Sequence, residues 1–178
     1  MENTTNPPEW GIAAEPQVKE FGPCRVIGMN YIGKNQSGEI PALWHSEKGF
    51  IHRVKEIQPS QGAEAGLAFG ICRCVPGKTD GSFEYIAAVT AAPDASIPEG
   101  MMEVQLLRSP YVIFTVRNLT EIGKVWEYAQ KWFAANPQWE GFCTPKGCDC
   151  VHYPSFELYP ADFTPDGKLY IYFPVKAK

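Results

Sequence analysis

The chain has 178 residues, of which 44% are hydrophobic and 20% charged, and this composition is typical of a folded domain and excludes a disordered one. Its net charge is −4 and its sequence pI about 5.4, so we expect it to bind neither nucleic acid, by this chain alone, nor an anionic membrane surface. The sequence shows no apolar run of membrane-spanning length and no leader pattern at its amino terminus, which predicts a cytoplasmic location.

The first half of the chain predicts a strand, a helix and two more strands. Residues 1–15 are polar and contain prolines, so we expect a flexible N-terminal arm, followed by one domain over residues 16–178. "CRVIGMNYIG" is rich in β-branched and aromatic residues, which favour a strand. The apolar residues of 38–57 recur at helical spacing, and Pro41 falls in the first turn. "LAFGICRCV" and "SFEYIAAVTAA" predict two strands, separated by the turn sequence "PGKTDG".

The second half repeats this order of elements. "MEVQLLRSPYVIFTVRN" indicates one broken strand or two, and residues 119–135 predict a helix that carries Trp126 on its apolar side. Asn118 is its expected N-cap, with Glu121 placed to reach back. "CVHYPSFELYP" and "KLYIYFPVK" then predict two strands. The sequence therefore predicts an α+β fold in which two βαββ repeats form a concave antiparallel sheet with helices packed on it.

Three cysteines and a histidine lie close together near the end of the chain: Cys143, Cys148, Cys150 and His152. Their C-x4-C-x-C-x-H spacing is not the paired C-x2-C of a typical zinc site, and the alternation of side chains on a strand suits joint binding poorly. We therefore predict no metal site. Cys72 and Cys74 are interpreted as small apolar side chains of a strand. No phosphate-binding loop is present, and we expect no cofactor.

The period of two in a strand places an acid among aromatic rings. In the last two predicted strands, one set of alternating residues is purely apolar, and we expect it to face the helices. The opposite sets would then share the other face of the sheet, and they contain Tyr153, Glu157, Tyr159, Tyr170 and Tyr172. Tyr85 alternates with Ala87 and Val89, and such small neighbours would leave room beside its ring.

A carboxylate in an aromatic-lined hollow has two chemical uses. A buried carboxylate must find a partner or take up a proton, and aromatic faces attract cations, so Glu157 with its surrounding rings could receive an aromatic or lipophilic cation. Alternatively, Glu157 could act as a general base with a raised pKa. Exposure of Glu157 to solvent, or an ion pair with Lys or Arg, remains open at this stage.

Several segments together resemble a known family. They are "EIPALWHSEKGFIHRVKEI", "FGIC" and "FEYIAAV" in the first half, and "SPYVIFTV", "YPSFELYPADF" and "LYIYFPV" in the second. Over about residues 16–176 the chain resembles GyrI-like effector-binding domains, which form the ligand-binding half of multidrug-responsive transcription activators and the end of some AraC-type regulators. The resemblance implies two βαββ repeats around a concave sheet. It also implies ligand-binding roles for Glu157, which matches the acid that contacts cationic hydrophobic ligands, and for Trp44 and Tyr85.

The resemblance leaves two functions open. The regulators carry a DNA-binding helix-turn-helix domain for which this chain has no room, so the chain is similar to the stand-alone members. We expect a binding protein for hydrophobic, cationic or aromatic small molecules, in which Glu157 is the countercharge. The alternative is a hydrolase of reactive cyclopropane-type electrophiles with Glu157 as the catalytic base. A protein partner and a homodimer both remain open.

Overall fold

The structure, a computed structural model, describes residues 7–144 and 147–178. Its α-helices are α1 (Glu39–His45), α2 (Phe50–Arg53) and α3 (Ile122–Ala135), and short 3-10 helices occupy Pro7–Trp10, Val54–Glu56, Gly62–Glu64 and Leu119–Glu121. Its strands are β1 (Ile12–Phe21), β2 (Cys24–Gly33), β3 (Ala68–Cys74), β4 (Phe83–Thr90), β5 (Met102–Leu106), β6 (Ser109–Val116), β7 (Trp139–Gly141), β8 (Cys143–Thr144), β9 (Gly147–Cys148), β10 (Ser155–Tyr159) and β11 (Leu169–Ala177). Among the described helices, none has the length and apolar character needed to cross a bilayer.

The sheet is built from two βαββ units that meet at its centre. Its strand order is β1-β6-β11-β10-β3-β4-β2-β5, with β7 added beside β11, and every pairing is antiparallel. The first unit runs from β2 through α1 and α2 to β3 and β4, and the second runs from β6 through α3 to β10 and β11. The pairing of β10 with β3 joins them. The α+β class and the two predicted repeats are confirmed.

Two short connections show that the sheet is strongly curled. Residues 22 and 23 link β1, at one end of the strand order, to β2 near the other end, and residues 107 and 108 link β5 to β6 in the same way. Such links span at most about 11 Å, so the two ends of the sheet must approach each other. They touch at Gly22, where an added Cβ would lie 2.9 Å from the carbonyl oxygen of Leu107.

Because the sheet curls, its inner face is filled by side chains from its own strands. The ring of Phe21 in β1 lies 5.3 Å from that of Phe156 in β10 and 6.3 Å from that of Phe69 in β3. In a flat sheet the four strand spacings between β1 and β3 would separate them by about 19 Å. Tyr111 and Tyr172 complete this aromatic cluster. The inner face is therefore a core that needs no helix to cover it.

The opposite side of the sheet, called here the helix face, carries all three α-helices. Helix α3 packs on Val112, Phe114 and Ile171, while α1 and α2 pack over Ile27 and Ala87 of the first unit. Helix α1 thus covers one end of the helix face and α3 the other. The central strands β3 and β10 lie beneath the gap between them.

Local details differ from the sequence predictions in three places. The helix predicted over residues 38–57 is divided into α1 and α2. The chain turns tightly at Gly49, where an added Cβ would lie 2.7 Å from the Trp44 carbonyl oxygen. Asn118 caps its helical segment as predicted, accepting a bond from the Thr120 amide at 3.1 Å. Glu121 pairs with Lys124 instead of reaching back.

The N-terminal boundary also falls elsewhere than expected. Strand β1 begins at Ile12, so residues 12–15, which were assigned to the flexible arm, are part of the sheet. Its pairing partner is β6. Residues 1–6 of the predicted arm lie outside the described residues.

Candidate functional site

Glu157 lies at the centre of the molecule, on the helix face of β10. Its side chain is buried, with 7% of its surface exposed. One carboxylate oxygen, Oε2, accepts hydrogen bonds from the hydroxyl groups of Tyr85 and Tyr159, both at 2.8 Å. The Tyr85 oxygen in turn accepts a bond from the indole Nε1 of Trp44 at 3.1 Å. These four side chains form one hydrogen-bonded network, and they were among the ligand-binding residues predicted from the sequence.

The network holds a carboxylate to which no described residue offers a cationic partner. None of the ion pairs formed by the described residues includes Glu157, and the nearby Arg73 is paired with Glu84 at 2.5 Å. Burial raises the pKa of Glu157, whereas the hydroxyl groups of Tyr159 and Tyr85 and the nearby indole N–H of Trp126 act in the opposite direction. Burial and the adjacent carboxylate together raise the pKa of Tyr85, so its hydroxyl remains a donor. Full exposure of Glu157 is therefore excluded, and so is an ion pair with any lysine or arginine that the structure describes.

Gly70 makes the central contact possible. It lies in β3 directly opposite Glu157. A Cβ added at this position would lie 2.0 Å from the Tyr85 hydroxyl oxygen and 2.5 Å from Glu157 Oε2. Since real Cβ atoms do not approach other atoms so closely, any side chain here would separate the two groups. Sequence reasoning missed this residue, although an isolated glycine within a strand is a known sign of close approach.

Two adjoining cavities open on either side of the network, and both are lined by Ile40, Tyr85 and Glu157. The aromatic lobe has a volume of about 500 Å³, and its walls include Trp44, Ile51, Tyr159 and Phe163. The cysteine lobe has a volume of about 550 Å³, and its walls include Cys72, Cys74, Trp126, Cys143 and Cys150. Both volumes fall within the range of about 300 to 1,000 Å³ that is usual for small-molecule sites.

The helices supply one tryptophan to each lobe. Trp44 of α1 packs edge-to-face on Tyr159, with ring centroids 5.7 Å apart, and Tyr159 packs in the same way on Phe163. Trp126 of α3 packs on Phe173 at 4.8 Å and also borders the cysteine lobe. Trp126 was interpreted as a core residue and Phe163 was not singled out. The signal for Trp126 was available, because Trp44 lies on the apolar side of the helix in the first repeat as Trp126 does in the second.

The structure does not bring the other three predicted tyrosines to the site. Tyr170 and Tyr172 lie opposite Leu158 and Phe156, and therefore on the inner face, where Tyr172 stacks on Phe156 at 4.8 Å. Tyr153 stacks on Phe142 at 4.2 Å and borders neither lobe.

The prediction that Glu157 faces away from the helices is wrong. Glu157 pairs with Ile171 and shares the helix face with it. The curled sheet has apolar side chains on both faces, so an apolar set does not identify the side on which the helices pack. The ligand-binding roles of Glu157, Trp44, Tyr85 and Tyr159 remain predictions.

Four cysteines meet at the outer end of the cysteine lobe, and we call them the cysteine cluster: Cys74, Cys143, Cys148 and Cys150. Their sulfur atoms all lie within 4.8 Å of one another. Cys74 pairs with Cys150, and Cys143 with Cys148, at sulfur separations of 2.50 and 2.04 Å. From the sequence, Cys74 was interpreted as a small apolar side chain of a strand, and His152 was grouped with the other three cysteines. Instead, His152 bonds Asp149 at 2.7 Å, and Cys74 is the fourth member.

Substitution of Gly70 by alanine should test the network. We expect Gly70→Ala to destabilise the fold by about 1 to 3 kcal/mol, because the new methyl group must displace Tyr85 or Glu157. Gly123→Ala is the matched control, since a Cβ there meets nothing within 4 Å and alanine favours the helix. Urea unfolding of both variants measures the difference. Equal stability of the two variants would contradict the close packing described.

Comparisons with known proteins agree with this architecture. The chain is 33% identical over 90 residues to the transcriptional regulator BrlR of Pseudomonas aeruginosa, and the match covers 51% of this chain and 30% of that protein. The chain thus spans under a third of the curated relative's length. The solved structure of SAV2435 bound to tetraphenylphosphonium superposes with a TM-score of 0.60, at 18% identity, over 92% of this chain and 94% of that one.

A second solved structure, an integron cassette protein from Vibrio cholerae, superposes with a TM-score of 0.58, at 15% identity, over 90% of this chain and 95% of that one. At these identities both structures establish similarity of fold alone. The sequence profile of one family covers residues 17–175, nearly the whole described domain. On that match, the chain belongs to the family of integron-associated effector-binding proteins.

Proposed function

We propose that this protein binds hydrophobic small molecules, cationic aromatic ones in particular, with Glu157 as the countercharge. The observation that carries the proposal is the burial of the Glu157 carboxylate at the junction of two cavities, with no cationic partner among residues 7–144 and 147–178. A buried charge of this kind is costly unless it is compensated. A cationic ligand would supply the compensating charge that the described part of the chain does not provide.

The walls of the aromatic lobe suit the rest of such a ligand. Among the described residues that line it, Glu157 is the one carboxylate, and neither lysine nor arginine contributes. Trp44, Tyr159 and Phe163 present aromatic rings, which attract a cation by about 0.5 to 2 kcal/mol each and also bury apolar groups. The lobe thus combines one negative charge with a largely apolar wall.

The aromatic rings also hold the carboxylate in place. Tyr85 and Tyr159 donate to the same oxygen of Glu157, and Trp44 fixes the Tyr85 hydroxyl. Such preorganisation reduces the free energy that binding would otherwise lose in ordering the site. Membership of an effector-binding family and the phosphonium-bound structure of SAV2435 support the same ligand class.

Substitution Glu157→Gln should weaken the binding of cationic ligands much more than that of neutral ones. Opposite charges about 5 Å apart at an effective dielectric constant of about 20 attract by about 3 kcal/mol, and desolvation of the cation removes part of this gain. We therefore expect methyltriphenylphosphonium to bind Glu157→Gln at least about tenfold more weakly than the unmodified chain. The affinity for triphenylphosphine oxide, which carries similar rings and no charge, should change much less. Isothermal titration calorimetry measures both.

A surface substitution with the same change in net charge provides the control. Glu127 lies on the exposed side of α3, and Glu127→Gln should leave both affinities unchanged. An equal loss of the cation and the neutral compound in Glu157→Gln would overturn the countercharge role. Failure of the unmodified chain to bind either compound would overturn the proposed ligand class.

The affinity for cations should depend on pH, and stability should change in the opposite direction. Burial raises the pKa of Glu157, so the folded protein takes up a proton at a higher pH than the unfolded chain does. Lowering the pH through this window should stabilise the ligand-free fold and weaken cation binding, because the protonated group is neutral. Thermal melts with and without methyltriphenylphosphonium across the acidic range measure both effects. In Glu157→Gln this part of the pH dependence should disappear, and its persistence would assign the dependence to another group.

A further inference from the structure

We propose that Cys74, Cys143, Cys148 and Cys150, in their reduced state, bind a single Zn²⁺ ion. The inference does not depend on the proposed small-molecule function. It starts from the meeting of four sulfur atoms that come from distant parts of the chain: the end of β3 and the segment around β8 and β9. A cluster of four thiolates is a complete ligand set for structural zinc.

The spacing between the two cysteine pairs is compatible with a tetrahedral ion. Four sulfur atoms bound at about 2.3 Å from a tetrahedral zinc lie about 3.8 Å from one another. The sulfur atoms of Cys74 and Cys143 are 3.6 Å apart, and no two of the four are separated by more than 4.8 Å. On reduction, the sulfur atoms within each pair are free to separate, and rotation of the side chains can then bring all four to the zinc–sulfur distance.

Two separate disulfides would not require this arrangement. Each disulfide needs only its own two sulfur atoms in contact, and the two pairs could lie anywhere in the molecule. Here the Cys74–Cys150 and Cys143–Cys148 pairs lie against each other, so that every sulfur atom has the other three as neighbours. Convergence of all four sulfur atoms on one point is the geometric requirement of a metal site. The same four sulfur atoms can form disulfides when oxidised.

The backbone around the cluster supports metal-bound thiolates. Cys143 and Cys148 lie opposite each other in the antiparallel pair of β8 and β9, and the four residues between them in the sequence fall within the spacing usual for zinc ligands. The backbone N–H of Cys74 donates to the sulfur of Cys150 at 2.8 Å, a contact of the kind that stabilises thiolates around metals. Cys74, Cys143 and Cys148 are exposed, so an ion can enter from solvent.

Metal binding would fix one wall of the cysteine lobe. The cluster joins the segment that contains β8 and β9 to the end of β3, and Cys74, Cys143 and Cys150 border the lobe. Binding is an exchange of protons for metal, since thiols release protons as the zinc–sulfur bonds form, and it requires no oxidant. The ion would therefore act as a structural link beside the cavity.

Cobalt titration of the reduced chain tests the site directly. The full chain is reduced and kept anaerobic, then titrated with Co²⁺ and afterwards with Zn²⁺. We expect one Co²⁺ per chain, with the visible bands and the sulfur-to-cobalt charge-transfer absorption of a tetrahedral tetrathiolate site, and displacement of Co²⁺ by Zn²⁺. Native mass spectrometry should show a single zinc ion per chain.

Two variants assign the ligands. Cys74→Ser removes the ligand contributed by β3 and should weaken Co²⁺ binding more than about tenfold, with loss of the tetrathiolate spectrum. Cys24→Ala removes a cysteine that lies outside the cluster. This variant should retain both the affinity for Co²⁺ and the tetrathiolate spectrum. The proposal is overturned if the reduced unmodified chain gives no tetrahedral cobalt spectrum, or if Cys74→Ser binds Co²⁺ as tightly and with the same spectrum as the unmodified chain.

Discussion

The burial of one carboxylate at the seam between two repeats is the constraint on which the centre of this molecule depends. Glu157 belongs to the second βαββ unit, and β3, its neighbour across the seam, belongs to the first. Its oxygen accepts from Tyr85 of the first unit and Tyr159 of the second. The hydrogen bonds that compensate the desolvation of the carboxylate therefore also tie the two units together.

The curl of the sheet explains how a fold of this size can keep a cavity at its centre. An ordinary open sheet must cover both faces with other elements or leave one of them to solvent. Here Phe21 reaches across to Phe156, and the inner face becomes a core of its own. The helices are needed only on the other face, where α1 and α3 can stand apart above β3 and β10. The gap between them holds Glu157 and both lobes.

Local sequence signals predicted most of the elements, although not β1, because each signal acts over a few residues. The period of two in the strands, the apolar stripe of α3 and the Asn118 cap all depend on neighbours in the chain. The placement of Glu157 relative to the helices depends on which face each strand presents, and this is decided by the curl. Since the curl fills the inner face with aromatic rings, Tyr170 and Tyr172 were assigned to the wrong surroundings.

The parts of the site that sequence reasoning missed all involve contacts between distant segments. Gly70 is required by a hydrogen bond between Tyr85 and Glu157, which approach it from two different strands. Cys74 joins the cysteine cluster across a sequence separation of 76 residues from Cys150. A spacing rule applied to one segment can find neither of them, because the partner residues lie in the other repeat.

Strand β3 links the two sites by its own geometry. Gly70, Cys72 and Cys74 alternate along it and point to the helix face, from the carboxylate at the centre to the cysteine cluster at the edge. Gly70 and Cys74 are four residues apart, and four residues of strand span about 13 Å. This length sets the distance between the carboxylate and the cysteine cluster. All three residues are small, and this is a condition for the site. Larger side chains at Cys72 and Cys74 would occupy the cysteine lobe, and any side chain at Gly70 would meet Tyr85 and Glu157. The run of small residues therefore both opens the space beside Glu157 and ends in a side chain that can bind a soft metal.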